Sequence, residues 1–213
     1  MLLSATGRDV LRAAAMEYGE HGWRVTPAHY PYAPGRHRRR PAAQDGLLRC
    51  ACGLAGCPTT GRHPLSPDWL REASTDRAAI DVWWWGPRPW NIAVVTGELF
   101  DVWTAPAEVA GRAASLLGNA GRALGPVAYS PDGRWLFCTE PALGRQPPPV
   151  PPPLGHLGQG DYLLAPPSTV GTDRMRWWQP PFGPGACRPA PWEPILEALL
   201  AAARFGACLA RSE

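Results

Sequence analysis

The sequence predicts an α/β (α+β) fold with a mixed central sheet flanked by helices, and three observations carry that expectation. Segments of helical periodicity alternate with short apolar runs along the chain. The stretch 83–106, WWWGPRPWNIAVVTGELFDVWTAP, compresses a helix end, two strands and a helix start. Hydrophobic residues make up 45% of the 213 residues and charged ones 18%, which is enough apolar material for a proper core.

Each element has its own justification. Thr6 and Asp9 resemble a helix cap with an acid in the first turn, and Val10, Leu11, Ala14 and Tyr18 follow on one face. Gly22 ends that helix, and Trp23–Thr26 has strand character before Pro27. Ser74-Thr75-Asp76 is a capping cluster for a helix that carries Ile80, Trp83 and Trp84 at i, i+3, i+4 spacing. Pro87 and Pro89 forbid its continuation. Asn91–Thr96 is a buried strand stopped by Gly97, and Leu99–Trp103 a second strand. Ala105-Pro106 opens a helix with Val109, Ala113, Leu116 and Leu117 inward, since proline is tolerated in a first turn. Pro131-Asp-Gly133 between residues 126–130 and 134–138 signals a hairpin. Strands are expected at 161–165 and 175–178, then a linker rich in proline and glycine and an amphipathic helix through Ile195, Leu196, Leu199, Leu200 and Ala203. The run Pro147–Pro153 favours an extended polyproline conformation, as a surface spacer or, alternatively, as a ligand for a proline-binding module.

Composition excludes some functions. No stretch approaches the ~18 apolar residues of a membrane span, and the N-terminus lacks the basic start and apolar core of a signal peptide. The expected compartment is the cytoplasm, with the six cysteines reduced or bound to metal. The net charge of +3 is too small to indicate nucleic-acid binding by itself.

Two clusters carry chemistry. Cys50, Cys52, Cys57 and His63 supply four soft ligands within a short loop, the donor set of a tetrahedral structural zinc ion; the alternative is unliganded cysteines in a loop. Arg36, Arg38, Arg39 and Arg40 could grip phosphates or lie in a solvated loop. Asp101, at a strand exit, is either a metal-ligating carboxylate or a strand end.

In order, these motifs resemble the N-terminal domain of bifunctional DNA primase/polymerases (Prim-Pol). The resemblance rests on Gly22-Trp-Arg-Val-Thr-Pro27 and on Cys50 to Pro64, with Arg62 in place of a lysine. It rests further on Thr75-Asp76 with Trp83-Trp84, on Asn91 to Gly97, on Tyr162-Leu-Leu-Ala-Pro-Pro-Ser168, and on the tryptophan-rich strand 175–178. It implies a primase-type palm over residues 1–182 with a zinc-knuckle insertion at 49–64, followed by a linker and C-terminal amphipathic helix at 183–213. Active members extend primers with two divalent cations held by clustered acids, which clamp the attacking and leaving oxygens.

At those acids the chain departs from the pattern. Asp101 fits the first acid, but Trp103 stands where the second belongs, Gly155 where the third belongs, and Trp135 replaces the family's histidine. The expectation is a catalytically inactive member that binds single-stranded nucleic acid or nucleotides, or a protein partner, with zinc as its structural cofactor. The alternative is an active primase-polymerase with a rearranged carboxylate site, which alone would need magnesium or manganese.

Overall fold

The computed structural model describes residues 7–34, 48–145 and 147–209. The fold is α+β, with five helices and several antiparallel sheets among the described residues. The chain divides into two compact units, the first comprising residues 1–95 and 164–175, the second 96–163 and 176–213.

The first unit is built on a fully buried strand, β4 (Asn91–Val95). On one side β4 pairs antiparallel with β1 (Val25–Ala28), with Val25 opposite Val94 and Ala28 opposite Asn91. On its other side runs β9 (Tyr162–Ala165), whose last two residues belong to this unit. Pro27 is tolerated within β1 because that strand is at the sheet edge, where a missing N–H breaks no inner ladder. Helix α1 (Gly7–Glu20) buries Leu11, Ala15 and Tyr18, and the Tyr18 hydroxyl donates to the Pro166 carbonyl at 2.6 Å. Two further helices are α2 (Trp69–Glu72) and α3 (Arg77–Trp85). The expected cap of α3 forms: the Asp76 carboxylate accepts from the Ala79 N–H at 2.8 Å. Ile80 and Trp84 are buried on the face that the spacing marks as inward. Short pairs complete the unit, β2 (Pro31–Tyr32) with β3 (Arg49–Cys50) and β10 (Thr169–Val170) with β11 (Asp173–Arg174).

The second unit is a five-stranded sheet carrying two helices. Its strands are β5 (Asp101–Pro106), β6 (Val127–Ser130), β7 (Arg134–Thr139), β8 (Gly155–Leu157) and β12 (Arg176–Gln179), in the order β12-β6-β7-β5-β8. All four pairings are antiparallel. The β6–β7 hairpin turns at the expected Pro131-Asp-Gly133, where Gly133 takes φ of 81°, a left-handed conformation that suits glycine. Pro106, at φ −56°, switches the chain from β5 into α4 (Ala107–Asn119). Leu116, expected inward, is exposed, and Ala110 takes the buried place beside Ala113 and Leu117.

The C-terminal helix α5 (Trp192–Leu209) packs on α4 and enters the core of this unit. Ile195, Leu196, Leu199 and Ala202 are buried in one cluster with Trp103, Phe137, Val127 and Leu117. The proline run is exposed at most of its positions, but it is not a free spacer. Val150 packs against that core and Leu154, just beyond the run, is buried in it. No helix among the described residues is long and apolar enough to cross a membrane.

If α5 is structural, Leu199→Ala lowers the unfolding free energy by about 2–5 kcal/mol. The same truncation at exposed Leu143 changes it by no more than about 0.5 kcal/mol. Denaturant melts that show equal effects at the two sites would contradict this packing.

Candidate functional site

Two sites emerge, one in each unit. In the first, the Cys50, Cys52 and Cys57 sulfurs and the His63 ring offer ligand atoms that all lie within 4.8 Å of one another. Nε2 of His63 is 3.3 Å from the Cys50 sulfur and 3.5 Å from that of Cys57. Donors around a tetrahedral zinc at 2.0–2.3 Å stand about 3.5–3.8 Å apart, so the geometry is already close to a metal-binding one.

Local sequence builds this convergence. Gly53, Gly56 and Gly61 adopt φ of 81°, 70° and 71°, reversing the chain around the thiols. A Cβ at Gly61 would meet the Pro31 nitrogen at 2.4 Å, so only glycine fits there. The outer shell is also in place. The Gly61 N–H donates to the Cys50 sulfur at 3.2 Å and the Leu54 N–H to the Cys52 sulfur at 3.4 Å. Nδ1 of His63 is 3.1 Å from the Pro64 carbonyl, which suits an Nδ1–H donor and leaves the Nε2 lone pair for a metal. For Cys52 slight burial pushes the thiol up. Hydrogen bonding from Leu54 N–H and from Cys50, His63 and Cys57 outweighs this and brings it down to about 7.

Asn91 locks the loop to the sheet. Its side-chain amide donates towards the carbonyls of Gly61, His29 and Thr169 at 2.9, 3.1 and 2.9 Å, and its Oδ1 accepts from the Thr169 N–H at 2.7 Å. Beside it, His29 lies 4.5 Å from the His63 ring; burial first, then His63 and Arg88, lower its pKa.

The second site surrounds Asp101 at the start of β5. This carboxylate is only 2% exposed. Its Oδ2 is 3.0 Å from Nε2 of His156 and accepts from the Ala142 N–H at 3.2 Å, while Oδ1 is buried without a hydrogen-bond partner. A cleft of about 610 Å³ opens here, lined by Asp101, His156, Arg145, Gly97 and Gly158 among others. Trp103, two residues along the same strand, is fully buried. Its ring stacks on His156 at 4.2 Å and on Trp192 at 6.1 Å, and Arg145 lies over Trp192 at 5.3 Å. His156 was not singled out by sequence reasoning. The only available signal was its place beside Gly155, which register sets opposite Thr104 while His156 itself faces Trp103.

The other expected positions are filled by different chemistry. A Cβ at Gly155 would come within 2.7 Å of the Thr104 hydroxyl, which accepts from Arg134 at 2.6 Å. Trp135 packs on Trp178 at 5.1 Å and Phe137 at 6.3 Å. Arg36, Arg38, Arg39 and Arg40 lie outside the described residues. Among the described residues, the Cys/His set is the one group of three or more metal-ligating side chains with converging donor atoms. The surroundings of Asp101 do not fit a pair of divalent cations: it is the one carboxylate among the described residues that line the cleft, its Oδ2 is already hydrogen-bonded, and the side chain two residues along the strand is the buried indole of Trp103.

Residues 15–194 match the family described as bifunctional DNA primase/polymerase, N-terminal. No curated protein matches the chain. With most of its length covered and the ordered motifs placed as described, the chain belongs to the N-terminal domain family of bifunctional DNA primase/polymerases.

Proposed function

We propose that this domain keeps the primase/polymerase scaffold without metal-dependent nucleotidyl transfer and acts as a nucleic-acid- or nucleotide-binding or interaction module in the cytoplasm. The observation that carries the reading is Trp103. In-line phosphoryl transfer needs two cations clamped by several carboxylates. The side chain at the second acid's position is instead an indole buried between His156 and Trp192, in the same apolar cluster as α5. A carboxylate there would have to displace core. The remaining acid is committed to His156 and the Ala142 amide. In this reading Asp101 anchors β5 to β8 rather than a metal.

The Cys/His knuckle is read as a structural zinc site. Four protein donors leave no open coordination position for chemistry, and the N–H donors to sulfur stabilise thiolates. Zinc would tie Arg49-Cys50, on β3, to the loop that ends at His63.

Two outcomes follow from these assignments. Protein purified with zinc supplied carries about one zinc per chain, and Cys57→Ser or His63→Ala loses most of it together with thermal stability. Elemental analysis showing negligible zinc in the folded wild type would contradict the site. Primed templates with magnesium or manganese are not extended by the wild type. Nor does Trp103→Asp restore extension; it destabilises the fold by at least about 3 kcal/mol, since it buries an unpaired charge. Extension by the wild type that disappears in Asp101→Ala would overturn the reading.

A further inference from the structure

Three aromatic residues that the core does not consume gather at one edge of the five-stranded sheet. Tyr129 on β6 stands directly opposite Trp135 on β7 and opposite Arg176 on β12, so the three share one face. Trp178 joins them, its ring 5.1 Å from Trp135 and tilted by 49°. Trp178 is 54% exposed and Tyr129 39%, whereas Trp135 is half-buried and braced from within by Phe137. Large aromatic surface on a rigid support, left open to solvent, is costly to maintain without an occupant.

The charge on these strands narrows the occupant. β6, β7 and β12 together carry Arg134 and Arg176 and no acidic residue. Arg134 is turned to Thr104 and Pro153, while Arg176 is exposed beside Tyr129. An aromatic platform edged by a guanidinium suits unpaired bases, whose π-faces stack regardless of sequence while a phosphate meets the cation. An apolar peptide would not use Arg176, and a duplex would hide its base faces.

We propose that Trp178, Tyr129 and Arg176, supported by Trp135, form a stacking platform for single-stranded nucleic acid, separate from the cleft at Asp101. This rests on the reading of the domain as a binding module and names the surface that module uses. Trp178 supplies the principal base-stacking face and Arg176 a phosphate contact. The exposed position of both means that their removal leaves the core intact.

The test is fluorescence anisotropy of a fluorescein-labelled oligothymidylate with the zinc-loaded full chain across a salt series. Trp178→Ala is expected to weaken binding roughly 5-fold or more, and Trp178→Phe to retain most of the affinity. Arg176→Ala is expected to reduce the slope of log affinity against log salt by roughly 0.7. Thermal melts verify that each variant is folded. Wild-type binding that survives within about twofold in both Trp178→Ala and Tyr129→Ala overturns the platform while the module reading stands. Absence of wild-type binding at low salt defeats the nucleic-acid reading, and the platform with it.

Discussion

A carboxylate removed from water has to be compensated, and Asp101 imposes that constraint on the second unit. An ionised group left unpaired in a protein interior costs several kcal/mol, so its partners are fixed along with it. At Oδ2, His156 and the Ala142 N–H supply part of that compensation, which brings β8 and the loop after β7 to the start of β5. The imidazole then becomes a surface for Trp103, and Trp103 for Trp192 at the head of α5. Arg145 closes the stack, lying over Trp192 and pairing with Glu193 at 2.5 Å. One acid thus organises a strand, a loop and the C-terminal helix. The carboxylate meets an imidazole, and stacked indoles back that imidazole.

The first unit depends on a neutral group in a comparable way. Asn91 is fully buried, and its amide nitrogen lies within hydrogen-bond distance of backbone carbonyls from three separate segments. That single side chain ties the knuckle loop to β4. The conformation of Gly61 is fixed by contact with Pro31 and by this bond to Asn91, so the Cys50 sulfur meets its N–H donor in a loop already shaped. Preorganisation of this kind lowers the entropy lost when four ligands close on one ion.

Much of the fold was legible because local signals agreed with the tertiary outcome. Asp76 caps α3 as its neighbours predict, the Pro131-Asp-Gly133 turn sets the β6–β7 register, and the apolar run from Asn91 is a buried strand. The knuckle was legible from ligand type and spacing alone. Other features depend on partners far away in sequence. His156 meets Asp101 across 55 positions, and nothing near Gly155 announces a strand, because Gly155-His-Leu157 is short and has no β-branched residue. Residues 99–100 were expected in β5, but the chain closes a turn there, with the Gly97 N–H donating to the Phe100 carbonyl at 2.8 Å. On α4 the spacing places Leu116 inward, but Ala110, Ala113 and Leu117 carry the buried face and Leu116 is exposed, since hydrophobicity alone ranks a small alanine below leucine.

The central question is whether Asp101 is a structural anchor for β8 or a metal ligand. Titration of the zinc-loaded protein with manganese, followed by electron paramagnetic resonance, addresses this without requiring any substrate. The expected result is only weak, non-saturating binding, the same in the wild type and in Asp101→Asn. Saturable uptake of a pair of manganese ions that is lost in Asp101→Asn would contradict it.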